Sequence, residues 1–163
     1  MKLYLAYGSN LNVQQMALRC PKARPIGRTQ LKDHRLVFRG VADIEWSEGD
    51  HVECGLWWIT KDCEKALDRY EGVGSGLYRR IEFKVTHAGK PETCLVYQMN
   101  SKSYNLPFRG YLETIADGYD DFNIPQDSLA IALDMTRELV KSRKRPQPQS
   151  GAMCLRTPGT EAA

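Results

Sequence analysis

The sequence is short of the residues that metal and nucleophile chemistry would require. Its 163 residues include only three histidines, His34, His51 and His87. No two of them stand at the i, i+4 spacing that sets a pair of imidazoles on one helix face. The five cysteines, Cys20, Cys54, Cys63, Cys94 and Cys154, are odd in number and contain no C-x-x-C pair. They therefore read as reduced thiols, not as a disulfide framework or a zinc site. No apolar run approaches the roughly 18–20 residues that span a bilayer. The opening stretch Met1–Tyr7 is too short, and too soon interrupted by Gly8, to read as a signal peptide. The expected compartment is the cytoplasm, with no metal and no membrane partner.

What is present is ordinary in bulk. Hydrophobic residues make up 42% and charged residues 26%, which suits one soluble domain able to bury a core without cross-links. The formal charge of +3 comes from the end of the chain, where Lys141, Arg143, Lys144, Arg145 and Arg156 face only Glu161. The remaining 18 basic and 19 acidic residues leave the body at −1, so its charge gives no support to nucleic-acid binding. The stretch 143–163 is rich in Pro, Gln, Ser, Gly and basic residues and reads as a flexible tail on a domain spanning 1–142. The alternative, that its basic run recruits nucleic acid or an acidic partner, would show as steeply salt-dependent binding.

Pattern along the chain predicts a strand over 2–7, then a short helix through Val13, Met16 and Ala17 that stops before Pro21. Ile26–Arg39 reads as two extended pieces flanking Lys32-Asp33-His34. Ala42–Trp46 and Val52–Ile59 read as strands joined by a Ser47–Asp50 loop. A helix is expected over Lys61–Tyr70, capped by Thr60 and followed by Gly72 where a left-handed residue would end it. Arg80–His87 and Glu92–Met99 alternate as strands around Ala88-Gly89-Lys90-Pro91, and helices are expected near Gly110–Asp120 and Ser128–Ser142. Within Trp57-Trp58 the two indoles fall on opposite strand faces, so one is expected in the core. The fold class is therefore α+β with a mixed sheet, whose closure into a barrel periodicity does not decide.

Two segments carry candidate chemistry. Tyr7-Gly8-Ser9-Asn10 follows a strand directly, where successive N–H groups can converge on a carboxylate or oxyanion; the plainer reading is a turn that caps the next helix. Glu71 falls at the end of a predicted helix, where the macrodipole and partial burial both disfavour its anion. A carboxyl with a raised pKa suits general acid–base work near neutral pH, although a solvated helix-end glutamate is the commoner case. The run Gly72-Val73-Gly74-Ser75-Gly76 fails the phosphate-loop pattern, lacking the Lys-Ser/Thr that must follow. It also fails G-x-S-x-G around Ser75, because Val73 breaks it. Tyr78 and Tyr111 are candidate pocket walls or donors, against the usual role of tyrosine as a half-buried packing residue.

Taken together, Tyr7-Gly8-Ser9-Asn10-Leu11, Gly40-Val41-Ala42-Asp43-Ile44, Leu67-Asp68-Arg69-Tyr70-Glu71-Gly72-Val73 and Ser75-Gly76-Leu77-Tyr78 resemble the gamma-glutamylcyclotransferases. The likeness runs from about Lys2 to about Met135. It implies a small mixed β-barrel with surrounding helices, a place in glutathione metabolism, and no cofactor. The implied activity converts a γ-glutamyl amino acid to 5-oxoproline and the free amino acid. It further implies Glu71 as the acid/base, with Tyr4, Leu5, Ala6, Tyr7, Gly8, Ser9 and Asn10 holding the γ-glutamyl group and Tyr78 and Tyr111 at the pocket. The small-molecule substrate is the expected partner, and a homodimer is left open. Two alternatives stay beside it: a non-catalytic binding or interaction module on the same scaffold, and a cyclotransferase for γ-glutamyl amines or another γ-glutamyl conjugate.

Overall fold

The computed structural model describes residues 1–144. Five strands, β1 (Lys2–Ala6), β2 (Arg24–Phe38), β3 (Ala42–Ile59), β4 (Tyr78–His87) and β5 (Lys90–Met99), form one sheet in the order β2-β3-β1-β5-β4. Four helices accompany it: α1 (Val13–Arg19), α2 (Lys61–Tyr70), α3 (Arg109–Asp121) and α4 (Gln126–Lys144). The pairing is mixed. β1 runs antiparallel to β3 and parallel to β5, whereas β2/β3 and β4/β5 are antiparallel hairpins. The expected α+β class with a mixed sheet is therefore present.

The sheet is not closed. Its edge strands β2 and β4 approach each other, with the His34 and Phe83 rings 4.7 Å apart edge to face, but among the described residues no ladder joins them. Two further expectations need correction. The Ser47–Asp50 segment does not separate two strands; β3 runs unbroken through it. Register passes from Lys32↔His51 to His34↔Trp46, so four residues of β3 stand opposite Asp33 alone. Both polar segments read as turns thus face each other in one long hairpin and bend it at a wide bulge. Asp33 takes a positive φ there, and its Oδ1 accepts from the Gly49 N–H at 3.0 Å. The second correction concerns the tail. Arg143 and Lys144 continue α4, and the rest of 143–163 lies outside the described residues.

β1 lies in the middle of the sheet, and Leu3 to Tyr7 are all buried. A strand covered on both faces reads as a continuous apolar run, as Leu3-Tyr4-Leu5-Ala6-Tyr7 does. On β3, Trp57 is buried against Phe122 with ring centroids 5.4 Å apart, while Trp58 is half-buried. α2 begins where expected, the Thr60 hydroxyl accepting from the Cys63 N–H at 3.2 Å. It ends at Glu71, beyond which Gly72 turns left-handed at φ 63°.

The turn after β1 is a single 3-10 turn, Ser9–Leu11, leading into α1. Asn12 caps α1 by accepting from the Gln15 N–H at 2.9 Å. α3 crosses this turn and holds it: Asp121 accepts from the Val13 N–H at 2.8 Å, and Asn12 donates to the Thr114 carbonyl at 3.3 Å. The crossing is close because Gly118 has no side chain; a Cβ there would lie 2.6 Å from the Asn12 nitrogen. Gly118→Ala should therefore lower stability by about 1–3 kcal/mol through overpacking, read as a lower urea midpoint with an unchanged m-value.

Candidate active site

The turn after β1 and the end of α2 meet at one cleft. Its walls are Tyr4, Tyr7, Gly8, Ser9, Asn10, Ala42, Glu71, Tyr78, Tyr97 and Tyr111. Sixty-one positions separate Asn10 from Glu71, yet Asn10 Nδ2 donates to Glu71 Oε1 at 2.8 Å. The same amide donates to the Tyr4 hydroxyl at 2.8 Å. Gly8 allows the turn to sit this deep, since a Cβ would lie 3.1 Å from Ala42 Cβ and 3.2 Å from the Tyr111 hydroxyl.

Glu71 is the C-cap of α2, one residue beyond the last turn in which it was expected. The residue as a whole is half-buried, and its carboxyl meets the Asn10 amide in the phenol-lined cleft. Burial pushes the carboxyl up to about 7; the Asn10 hydrogen bond and the Arg19 charge hold it back from a still higher value. A group poised there can both accept and return a proton at neutral pH.

Five phenols line the cleft, and their protons are not equally available. Tyr7 donates to the Tyr97 carbonyl at 2.5 Å, Tyr78 to the Ala42 carbonyl at 2.8 Å, and Tyr97 to Asp68 Oδ1 at 2.8 Å. Tyr4 and Tyr111 only accept, from Asn10 Nδ2 and from the Ala42 N–H at 3.0 Å. Their hydroxyl hydrogens are thus the ones uncommitted among the described residues, and a bound ligand could take them. Burial raises the pKa of every one of these phenols, so each stays a neutral donor. At Tyr111 burial dominates and takes the group to about 12, with the Ala42 and Ser9 N–H groups acting in the opposite sense.

Of the residues singled out in the sequence, Tyr4, Tyr7, Gly8, Ser9, Asn10, Glu71, Tyr78 and Tyr111 converge here. Leu5 and Ala6 do not line the cleft; fully buried, they belong to the hydrophobic core. Tyr97, Ala42 and Arg19 were missed. Tyr97 sits in an alternating strand like any packing tyrosine, and Ala42 contributes only its backbone, which no sequence pattern advertises. A larger cavity of about 230 Å³ lies between β2, β3 and α4. Its buried carboxylate, Glu53, is already engaged by Arg28 at 3.1 Å and Gln30 at 2.7 Å.

The linkage of Glu71 to stability has a definite sign. Between about pH 4 and 7 the folded chain holds a proton on this carboxyl that the unfolded chain releases, so stability falls as pH rises through that window. Glu71→Gln keeps an acceptor for Asn10 and avoids the loss. It should match the parent near pH 4 and exceed it by roughly 1–3 kcal/mol near pH 8 in urea unfolding.

Comparison with known proteins gives a consistent set of relatives. A model described as the AIG2-like family matches residues 51–130. The gamma-glutamylcyclotransferase of Mus musculus is 36% identical over 138 residues, covering 77% of this chain and 73% of its own length. That of Homo sapiens is 36% identical over 136 residues, covering 76% and 72%. Among solved structures, a gamma-glutamyl cyclotransferase superposes with a TM-score of 0.73 at 29% identity, over 86% of this chain and 98% of its own. An uncharacterised protein from Homo sapiens superposes with a TM-score of 0.70 at 32% identity, over 92% and 91%.

Proposed function

This chain belongs to the gamma-glutamylcyclotransferase family, and from that membership we propose a reaction in which Glu71 carries the proton. The protein converts a γ-glutamyl amino acid to 5-oxoproline and releases the free amino acid. The observation that carries the reading is the Glu71 carboxyl, held by Asn10 among neutral phenols and poised at about 7.

The substrate enters with its α-ammonium group beside Glu71. The carboxylate takes a proton from it, and the freed amine attacks the γ-carbonyl carbon of the same molecule. Because nucleophile and electrophile share one chain, orientation replaces much of the entropic cost of a bimolecular encounter. The carbonyl oxygen becomes an oxyanion as the five-membered ring closes. Breaking the bond to the departing nitrogen then restores the carbonyl. Between ammonium and lactam the attacking nitrogen sheds two protons, and the departing nitrogen gains two, so Glu71 ends as it began. No water is consumed.

The donors on hand for the oxyanion or the substrate's α-carboxylate are the Tyr4 and Tyr111 hydroxyls and the N–H groups around Gly8 and Ser9. Preorganised donors in a water-poor cleft stabilise developing charge without reorganising. We place this unit within residues 1–144, to the end of α4, and its site of action in the cytoplasm. No described helix is long and apolar enough to cross a membrane.

Glu71→Gln and Glu71→Ala should each abolish release of 5-oxoproline from γ-glutamyl-alanine, followed by mass spectrometry, while circular dichroism stays that of the parent. Turnover retained by either purified variant excludes the proton-carrier role. Ser9→Ala should lose far less, about tenfold or under, because the backbone donors of the turn survive. For the parent, kcat/KM should rise with pH through an ionisation near 7.

A further inference from the structure

Arg19 stands outside the cleft wall, on the last turn of α1, and it is not solvated as an arginine there would ordinarily be. Its Nη1 donates to Asn10 Oδ1 at 2.7 Å and reaches Ser9 Oγ at 3.5 Å. Its Nη2 donates to Tyr70 Oη at 2.6 Å and to Gln15 Oε1 at 2.9 Å. Its guanidinium carbon lies 3.7 Å from the Tyr70 ring centroid. A cation at a helix C-terminus is favourable by itself through the dipole, but that alone would leave the guanidinium free to turn into water. Four acceptors and a ring face hold it against the first turn instead.

We propose that Arg19 is a positioning residue for the cyclisation: it locks the Asn10 side-chain amide in the one orientation that binds Glu71 Oε1, leaving Oε2 free for the substrate amine. The inference rests on Glu71 being the proton carrier.

The reasoning is one of donor and acceptor inventory. A guanidinium only donates, so the Asn10 atom facing it has to be the carbonyl oxygen. The amide nitrogen is thereby directed to the other side, where its two hydrogens meet the Tyr4 hydroxyl and the Glu71 carboxylate. Reversed, Asn10 would present an oxygen to the Glu71 carboxylate and its amide hydrogens to the guanidinium; only the Tyr4 hydroxyl, which can donate as well as accept, could still bond it. The wrong orientation thus carries two buried mismatches, one at Arg19 and one at Glu71. Tyr70 and Gln15 serve in turn to hold the guanidinium against the turn.

The titratable and charged groups facing Glu71 are Arg19 from α1, Tyr4 from β1, Tyr7 just beyond its end, Tyr78 from β4, Tyr97 from β5 and Tyr111 from α3. The phenols are neutral at all working pH values, so Arg19 is the one cation of this set. Removing it takes away its charge and unlocks Asn10, and both changes favour the protonated carboxyl.

The test is the pH profile of kcat/KM for 5-oxoproline release from γ-glutamyl-alanine, measured for the parent, Arg19→Met and Arg19→Lys. Arg19→Met should move the acidic limb upward by about one pH unit, lowering kcat/KM about tenfold near pH 6 and under threefold near pH 9. Arg19→Lys retains a cation and one donor, and its limb should fall between the two. A loss equal at every pH, or a limb that stays in place, overturns the role. Should Arg19→Met fail to fold, the Arg19→Lys limb decides alone by the same criterion. Glu71→Gln run alongside keeps the two claims apart. If it turns over, the proton-carrier reading fails. If it is inactive while the Arg19 limbs do not move, only the positioning role is lost.

Discussion

The 2.8 Å hydrogen bond from the Asn10 amide to Glu71 Oε1 ties the first turn of the chain to the end of α2. The carboxyl could not hold its place alone. A carboxyl at a helix C-terminus opposes the macrodipole, and burial raises the cost of its charge further. Without a donor it would turn outward to water. The amide keeps it inside, and in doing so sets the balance between burial, which raises its proton affinity, and a polar partner, which restrains it.

That contact depends on the sheet. β1 lies between β3 and β5 and is buried from Leu3 onward, so the turn that follows it has no freedom to drift. α3 closes over the turn from outside, with Gly118 against its backbone. On the opposite wall the Ala42 backbone holds both Tyr78 and Tyr111. Ala42 is itself fixed by the neighbouring ion pair of Arg39 and Asp43, at 2.6 Å and wholly buried. Asp43 also accepts from the Met99 N–H at 2.9 Å, which brings β5, and with it Tyr97, to the same side. A buried pair of this kind adds less to stability than to the choice of one arrangement. Here that arrangement is the placing of Ala42.

Much of the fold was legible from periodicity and punctuation. α2 was bounded by Thr60 and Gly72, both of which do what their chemistry suggests. The β4–β5 hairpin followed from alternation around Gly89. The bend of the β2–β3 hairpin was not legible, because Lys32-Asp33-His34 and Ser47–Asp50 each look like a chain reversal on their own. Only pairing shows that they lie opposite each other and that the reversal comes at Arg39–Val41 instead. Openness of the sheet was equally hidden, since it depends on how far β2 and β4 approach after four other pairings have accumulated their twist.

At the site, residue type and local position marked Glu71, the Tyr7–Asn10 turn, Tyr78 and Tyr111 as candidates beside commoner plain readings, and resemblance gave them roles and added Tyr4. Local physics speaks through neighbours in the chain: a helix end, a glycine, a strand stopping at a turn. The sequence by itself therefore determined where a carboxyl would be made uneasy and where N–H groups would be left bare. Which amide faces that carboxyl, which phenols retain a free proton, and which arginine orders the amide were decided by tertiary structure. Those properties come from donors and acceptors tens of residues apart, and only packing assigns each of them a partner.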